Sequence, residues 1–265
     1  MEPIIKFREA LKGGRICVGA GITFSDPLVT DTLGSSVDFI WIDLEHGGMS
    51  PEALGGHLLA CRARNVPGFV RVPGGGTSIV KPVLDLGADG VIVPQVRSVE
   101  EIRQLVDDCR YPPLGHRGFG PRVPSNYTRD EGEDYVERAN RNVFVAVMIE
   151  TAEAMDALDD ILAVPGLDSV VIGPKDLSWA IGTKGDVLHP QSMEAMRTVA
   201  TKARAAGRFI GAGMGPDPEF AFKLAQLGVQ WMQLGLDCAH LVKSFDTALA
   251  TFYNDIKKEP AEVTG

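Results

Sequence analysis

Eight short apolar segments, separated by stretches with helical character, constrain the fold of this chain more than any other feature. Each segment carries Val, Ile or Phe on both faces, as expected of parallel strands that are covered on both sides. Alternation of such strands with helices predicts a parallel sheet, and eight repeats allow the sheet to close. The predicted strands are residues 15–20, 37–43, 68–72, 90–95, 143–150, 169–173, 209–213 and 229–235. We therefore expect an α/β fold, a (β/α)₈ TIM barrel.

The length and composition agree with one such barrel. A (β/α)₈ barrel takes about 250 residues, and the chain has 265. Apolar residues make up 45% and charged residues 23% of the chain, which is the composition of an ordered globular protein and not of a disordered one. We expect residues 1–265 to form a single domain.

Charge, cysteine spacing and the ends of the chain narrow the possible partners. The 35 acidic and 26 basic residues give a net charge of -9, with the basic residues scattered; a nucleic-acid or anionic-membrane partner would require a basic patch. No apolar run reaches the roughly 18 residues of a membrane span, and the first residues lack the pattern of an export signal. The four cysteines lie far apart without a C-x-x-C pair, which argues against a zinc knuckle or a disulfide framework. We expect a cytoplasmic protein with reduced thiols.

Two segments fall outside the repeating pattern. Residues 3–12 form an amphipathic stretch before the first strand, and we expect an extra helix there that closes the bottom of the barrel. Residues 111–127 are dense in Pro, Gly and Arg, which predicts a long loop. Long loops in compact domains are usually functional or disordered.

Polar side chains follow several of the predicted strands at their carboxyl ends. Residues 43–46 (DLEH) end the second strand, Arg71 ends the third, Glu150 ends the fifth, and Asp176 follows the sixth. In a (β/α)₈ barrel these ends converge over one mouth, where the active site lies. The sequence therefore predicts a reactive site in that place.

Glu150 and Asp176 would follow neighbouring strands, whose axes lie about 4.8 Å apart in any sheet. Two carboxylates without Cys or His make an oxygen-only site with open positions, which suits Mg²⁺ or Mn²⁺ better than Zn²⁺. The alternative is structural, because Thr151 or Asp176 would also serve as a helix cap. Spacing alone leaves both interpretations open.

His46 and Arg71 also allow two interpretations each. A histidine just past a strand is often an ordinary loop residue, but a neighbouring carboxylate would orient the ring for general acid or base work. Arg71 would form a salt bridge at the barrel rim, or would hold a carboxylate or an oxyanion with its forked donors.

Five segments together resemble the HpcH/HpaI aldolase family, the metal-dependent class II pyruvate aldolases that include 2-keto-3-deoxy-sugar-acid aldolases. The resemblance covers about residues 4–250. It rests on "DFIWIDLEHGGMS", "VRVP" followed by "VLDLGADGVIVPQV", "CRYPPLGHRGFGP", "VMIETAEAMDALDDILAVPGLDSVVIGPKDLS" and "LGLDCAHL".

The resemblance implies specific roles for residues of these segments. Glu150 and Asp176 match the acids that bind the divalent metal, Mg²⁺ or Mn²⁺ with Co²⁺ possible. His46 matches the acid/base group, and Asp85 matches the carboxylate that orients it. Arg71 matches the arginine that contacts the keto oxygen of the substrate.

It also implies a setting for these groups and a reaction. Asp43 and Glu45 would hold metal-bound water, and the helix start that receives the substrate carboxylate would be formed by Gly173, Pro174, Lys175 and Asp176. The implied reaction is reversible aldol addition or cleavage between the enolate of pyruvate or hydroxypyruvate and an aldehyde, with 2-keto-3-deoxy acids as substrates.

Departures from the family pattern affect the aldehyde partner and the choice between pyruvate and hydroxypyruvate. Lys175 replaces a residue that is often small, "VPGGGTSIV" replaces a different turn after Arg71, and Met148 stands where some relatives carry Gln. The proposed metal ligands are unaffected.

Four other functions are compatible with the same residues. Lys175 would allow a Schiff-base aldolase that needs no metal. Metal-dependent decarboxylation of oxaloacetate, cleavage of a malyl or citramalyl thioester, and a non-catalytic binding barrel are the other three.

The last predicted helix begins in "LGLDCAHLVKSFDTALATFYNDI" and carries more apolar residues than one barrel needs. Packing within one chain would explain them. The resemblance implies instead a homo-oligomer, a hexamer built as a trimer of dimers, with this helix exchanged between subunits. A neighbour's residues 111–127 would then help to form the aldehyde pocket.

Overall fold

Eight parallel strands form a closed barrel in which each strand pairs with the next and β8 pairs with β1. The computed structural model describes residues 2–258, with side chains to residue 254. The (β/α)₈ prediction is confirmed, and each predicted strand contains or overlaps one observed strand. The strands are β1 Cys17–Ile22, β2 Phe39–Asp43, β3 Gly68–Arg71, β4 Gly90–Val93, β5 Phe144–Ile149, β6 Ser169–Ile172, β7 Phe209–Met214 and β8 Trp231–Leu236.

Helices connect the strands and cover the outside of the barrel. Several begin at a side-chain cap and a proline, as at Ser50 before Pro51 and Asp217 before Pro218, which satisfies free N–H groups and presets the first turn. The helical segment between β5 and β6 is interrupted at Ala157, which divides it into two short helices. The helices are α1 Glu2–Lys12, α2 Pro27–Leu33, α3 Pro51–Arg64, α4 Thr77–Asp85, α5 Val99–Cys109, α6 Gly132–Asn142, α7 Ala152–Asp156, α8 Leu158–Leu162, α9 Pro174–Ala180, α10 Pro190–Ala205, α11 Pro218–Gln226 and α12 Asp237–Lys258.

The extra helix α1 closes the amino-terminal end of the barrel, as predicted. Its Phe7 ring lies edge-on to four aromatic rings of the strands, with centroid distances of 5.0 to 6.1 Å. Edge-to-face packing of this kind adds to the free energy gained by burying the rings. The four rings belong to Phe39, Phe69, Phe144 and Trp231. Helix α1 and these rings therefore fill the barrel interior at its amino-terminal end.

The segment 111–127 is a long loop, as predicted, and it lies near the amino-terminal end of its own barrel. Arg117, Val123 and Pro124 of this loop line a cavity together with Asp89 and Val143, which directly precede β4 and β5. The loop is therefore remote from the carboxyl ends of the strands in the same chain.

The four cysteines are free thiols. Among the described residues, no helix is long and apolar enough to cross a membrane.

Candidate active site

The ends of β2 and β3 are joined by an arginine and a buried aspartate. Asp43 is fully buried, and its carboxylate accepts two hydrogen bonds from Arg71, from Nε at 3.0 Å and from Nη2 at 2.6 Å. The Asp43 carboxylate also accepts the backbone N–H groups of Glu45 at 3.0 Å and His46 at 3.4 Å. Asp43 therefore fixes both the arginine and the turn that carries the next two site residues.

Glu45 lies beside the same guanidinium. Its Oε2 is 3.0 Å from Arg71 Nη1 and yet accepts no hydrogen bond from the described residues, because the charges approach without the alignment of a hydrogen bond. Burial raises the pKa of Glu45, while Arg71 and His46 oppose the shift. A buried carboxylate oxygen without a donor is costly. We interpret Glu45 Oε2 as an acceptor that is available to a ligand at the carboxyl end of the barrel.

Glu150, at the end of β5, is 4% exposed. Its Oε1 accepts two hydrogen bonds from Gln95, from the backbone N–H at 2.8 Å and from Nε2 at 3.1 Å. Burial raises the pKa of Glu150 to about 7; the charges of Asp176 and Glu45 raise it further, and the Gln95 backbone and Arg71 lower it. In the metal-free protein the ionised form of Glu150 is therefore destabilised, and a bound cation would stabilise it.

Gly173 leaves the space that the other oxygen of Glu150 occupies. A Cβ atom at Gly173 would lie 2.2 Å from Glu150 Oε2. No side chain larger than hydrogen fits there unless the carboxylate moves. The absence of a side chain at Gly173 therefore allows the Glu150 carboxylate to lie where it does. Gly173 also directly precedes α9, which begins at Pro174.

Asp176 lies in the first turn of α9, on an exposed face. It lines a cavity of about 280 Å³ together with Glu150, and its charge raises the pKa values of Glu150 and Glu45. The two predicted metal ligands thus share one cavity. Thr151 is the N-cap of α7, so the expectation that it would serve as a helix cap is confirmed. In α9 the N-cap position is occupied by Gly173, and Asp176 lies within the first turn.

These residues fit a hard divalent cation. Within the described residues, no three His, Cys, Asp or Glu side chains form a metal-binding cluster, so the protein would supply two carboxylates and leave the remaining positions open. This is the pattern of Mg²⁺ and Mn²⁺ sites, which keep water and substrate oxygens as ligands. The raised pKa of the buried Glu150 carboxyl is what a site that lacks a bound cation would show.

His46 stands at the solvent side of the cluster. Its side chain is 65% exposed, and Nε2 lies 3.5 Å from Glu45 Oε2. The ring is therefore accessible to a substrate and has one carboxylate beside it. Lys175 is also exposed, and the residues that line the cavity of Glu150 and Asp176 do not include it.

Asp85 is not brought near His46 within one chain. It ends α4, where its carboxylate binds Arg117 Nη2 at 2.6 Å and Lys81 Nζ at 2.7 Å. Arg117 lines the cavity at the amino-terminal end of the barrel, opposite to the carboxyl ends that carry His46. A helix that follows a strand runs back toward the amino-terminal end, and Asp85 closes such a helix.

The cavity at the amino-terminal end, of about 740 Å³, is larger than the cavity of about 280 Å³ that Glu150 and Asp176 line. It is lined by α1, by the loop 111–127 and by residues that precede β4 and β5. We place the active site instead in the smaller cavity, because Glu150 and Asp176 both line it and because active sites of this fold lie at the carboxyl end of the barrel.

Sequence reasoning missed Gln95, which is the hydrogen-bond partner of Glu150. A signal was present: Gln95 is the polar residue at the carboxyl end of the predicted fourth strand, and the same rule had found Arg71 and Glu150. The close approach of Gly173 to Glu150 was also missed, since it depends on a distance between two strands.

A comparison with models of protein families assigns the chain to a family. Residues 23–244 match the model of the HpcH/HpaI aldolase/citrate lyase family. The chain belongs to the HpcH/HpaI aldolase/citrate lyase family. As an aldolase of this family it is a carbon–carbon lyase, and the family generally depends on a divalent metal ion.

Named relatives extend over nearly the whole chain. A hydroxypyruvate/pyruvate aldolase from Roseovarius nubinhibens is 33% identical, covering 96% of this chain and 98% of its own. A 2-keto-3-deoxy-L-rhamnonate aldolase from Salmonella gallinarum is 31% identical, covering 93% and 92%. The crystal structure of an HpcH/HpaI aldolase from Desulfitobacterium hafniense superposes with a TM-score of 0.85 at 28% identity, covering 92% of this chain and 95% of its own.

Proposed function

We propose that this HpcH/HpaI family member is a divalent-metal-dependent aldolase that joins the enolate of pyruvate or hydroxypyruvate to an aldehyde, and cleaves 2-keto-3-deoxy acids in the reverse direction. One observation carries the proposal: Glu150 and Asp176 line one cavity, and the charges of Glu45 and Arg71 act on the same Glu150 carboxylate. The names of the two aldolase relatives support the substrate class.

Glu150 and Asp176 would hold the metal, with Mg²⁺ or Mn²⁺ favoured and Co²⁺ possible. When bound, a divalent cation supplies positive charge that stabilises an enolate oxygen. Arg71 adds donors for that oxygen, and its orientation is fixed by the two hydrogen bonds to Asp43. Because these donors are held in place before the reaction, they cost little reorganisation when charge develops.

The substrate carboxylate would bind at the start of α9. Gly173 and Pro174 open this helix, and the backbone N–H groups of Lys175 and Asp176 would donate to the carboxylate. Gly173 leaves this approach free of a side chain. The keto acid would then lie between α9 and the guanidinium of Arg71.

His46 would move the proton. Its exposed ring can reach a substrate in the mouth, and Glu45 lies 3.5 Å from Nε2. In the addition direction His46 would accept a proton during formation of the enolate and return one to the aldehyde oxygen after the new bond forms. General acid and base groups of this kind contribute roughly 10²- to 10⁴-fold to a rate.

Asp85 would orient His46 only from a neighbouring subunit, since the two lie at opposite ends of one barrel. We propose a homo-oligomer, a hexamer built as a trimer of dimers, in which α12 is exchanged. In support, α12 carries large apolar side chains that are exposed in the single chain. These are Leu241, Val242, Phe245, Leu249, Phe252 and Tyr253.

A substrate panel tests the proposal. Pyruvate, hydroxypyruvate and oxaloacetate are offered with short, hydroxylated and carboxylated aldehydes, after EDTA treatment and again after addition of Mg²⁺, Mn²⁺ or Co²⁺. We expect aldol products only with added metal. Decarboxylation of oxaloacetate without any aldol product would replace the proposed reaction.

Borohydride trapping separates the metal mechanism from a Schiff base. Treatment with pyruvate and borohydride should leave the protein mass unchanged, and the Lys175→Ala variant should retain metal-dependent activity. A covalent pyruvyl adduct on Lys175, together with activity in EDTA, would overturn the metal mechanism.

A further inference from the structure

Gln95 combines two unusual properties. It is an exposed residue with φ of 54°, in the left-handed region that non-glycine residues rarely adopt. From this conformation it gives both its backbone N–H and its side-chain Nε2 to the same atom, Oε1 of the buried Glu150. Backbone strain at an exposed position persists when a functional contact depends on it, so the outlier calls for a functional explanation.

The two hydrogen bonds leave the oxygens of Glu150 unequal. Oε1 is occupied by Gln95, whereas Oε2 lies over Gly173, 2.2 Å from the point where a Cβ atom would be. Gly173 directly precedes α9, the helix that carries Asp176. The carboxylate is therefore held from one side, and its other oxygen lies at the start of the helix that carries Asp176.

We infer that Gln95 is a positioning residue that fixes Glu150 in the orientation required to bind the divalent cation. This inference rests on the proposed metal role of Glu150 and Asp176. Gln95 contributes no charge and need not touch the substrate. It removes rotational freedom from the carboxylate and satisfies the oxygen that faces away from α9, as outer hydrogen-bond partners of metal ligands do.

The test is Mn²⁺ binding to the EDTA-treated full-length protein, measured by isothermal titration without substrate. Gln95→Met removes the side-chain donor at similar volume, and Gln95→Gly removes it while relieving the left-handed strain. We expect both variants to bind Mn²⁺ about 10- to 100-fold more weakly than the wild type. The melting temperature of the metal-free protein should be unchanged for Gln95→Met and unchanged or higher for Gln95→Gly.

Gln226→Met is the matched control, because Gln226 is an exposed glutamine at the end of α11, at the amino-terminal end of the barrel. It should bind Mn²⁺ like the wild type. In activity assays the Gln95 variants should need more Mn²⁺ for half-maximal rate but approach the wild-type kcat at saturating Mn²⁺, a split that a general loss of folding would not produce.

Two results overturn different claims. Wild-type affinity for Mn²⁺ in Gln95→Met would refute the positioning role and leave the metal site standing. If the wild type itself binds no Mn²⁺, or if Glu150→Gln binds it equally well, the proposed function fails, and with it the inference.

Discussion

At the scale of single residues, the site is a set of acids whose repulsion is only partly relieved. Asp43 is neutralised by Arg71 through two hydrogen bonds. Glu150 accepts hydrogen bonds from Gln95, but among the described residues no Lys, Arg or His forms an ion pair with it. Burial raises the pKa of Glu150 to about 7. A bound divalent cation would relieve this cost, so the same feature that destabilises the metal-free protein prepares it for the metal.

The pKa of Glu150 predicts how metal-free stability depends on pH. The folded group ionises near 7 and the unfolded group near 4.5, so the folded state binds the proton more tightly. Its contribution to stability is fully present below about pH 4.5 and is lost as the pH rises to about 7. The loss is roughly 3 kcal/mol. Glu150→Gln cannot ionise and avoids this loss.

Urea unfolding in EDTA at pH 5 and pH 8 measures this effect. The variant should gain stability relative to the wild type by roughly 2.5 kcal/mol between the two pH values, since the other titrating groups are common to both proteins. A stability difference that is the same at both pH values would contradict the shifted pKa.

Gly173→Ala should impair metal binding more than folding. The new Cβ would meet Glu150 Oε2, the free end of a flexible side chain, so the carboxylate can turn aside at small cost in stability. The backbone of Gly173 has φ of -96°, which alanine adopts readily. We expect Mn²⁺ affinity to fall at least tenfold with a melting temperature within a few degrees of the wild type.

Gly182→Ala is the control for stability, because Gly182 has φ of 85° and open space around it. That variant should lose stability through backbone strain while binding Mn²⁺ normally. Wild-type Mn²⁺ affinity in Gly173→Ala would show that the orientation of Glu150 does not depend on Gly173.

At the scale of elements, the strands could be predicted because each is a short apolar segment bounded by turns, and their alternation with helices leaves few ways to pack. The polar residues at their carboxyl ends followed from the same rule, which is how Glu150, Asp176 and Arg71 were found. Asp85 could not be placed from the strand pattern. Its role came from resemblance alone, and the direction of α4 places it at the other end of the barrel.

The features that could not be predicted from the sequence depend on three-dimensional geometry, which the periodicity of apolar residues does not determine. The contact of Gln95 with Glu150 needs a left-handed residue after β4. The break between α7 and α8 at Ala157 occurs within a stretch of ordinary helix formers, where local composition gives no warning. Loop conformation and close approach between strands are set by tertiary packing.

The closing helix α1 gives a prediction for stability. Phe7→Ala removes a ring that contacts four aromatic side chains at the base of the barrel. Truncating a buried Phe costs roughly 3 to 5 kcal/mol, measured by urea unfolding. Because the site lies at the opposite end, Mn²⁺ affinity of the folded variant should stay within twofold of the wild type.

Phe222→Ala provides the comparison, since this α11 side chain is exposed and its loss should change stability by less than about 1 kcal/mol. Equal destabilisation by the two substitutions would mean that α1 does not hold the base of the barrel closed.

At the scale of the whole molecule, the exposed stripe on α12 is the feature that one barrel does not explain. Leu241, Phe245, Leu249 and Tyr253 follow one another at intervals of four residues and therefore lie along one face of the helix. An exposed apolar surface of this kind marks an interaction site. That residues 1–265 form one domain stays a prediction, since Met1 and residues 259–265 lie outside the described structure.

Charges on this stripe should dissociate the proposed homo-oligomer. Phe245→Asp with Leu249→Asp places two carboxylates where a neighbour would bury apolar surface, and light scattering after size-exclusion chromatography should report a smaller species. Lys223→Asp, a change at an exposed position of α11, is the control. If Asp85 of a neighbour orients His46, the dissociated variant should lose kcat and keep its affinity for Mn²⁺.

The central claim is that Glu150 and Asp176 hold a cation beside a group that removes a proton from the keto acid. It is tested most directly by nuclear magnetic resonance of pyruvate in deuterated water, which follows exchange of the methyl protons without any aldehyde. We expect exchange by EDTA-treated protein only after Mg²⁺ or Mn²⁺ is added, and none by Glu150→Gln under the same conditions. Exchange that proceeds in EDTA, or that persists in Glu150→Gln at the wild-type rate, would contradict it.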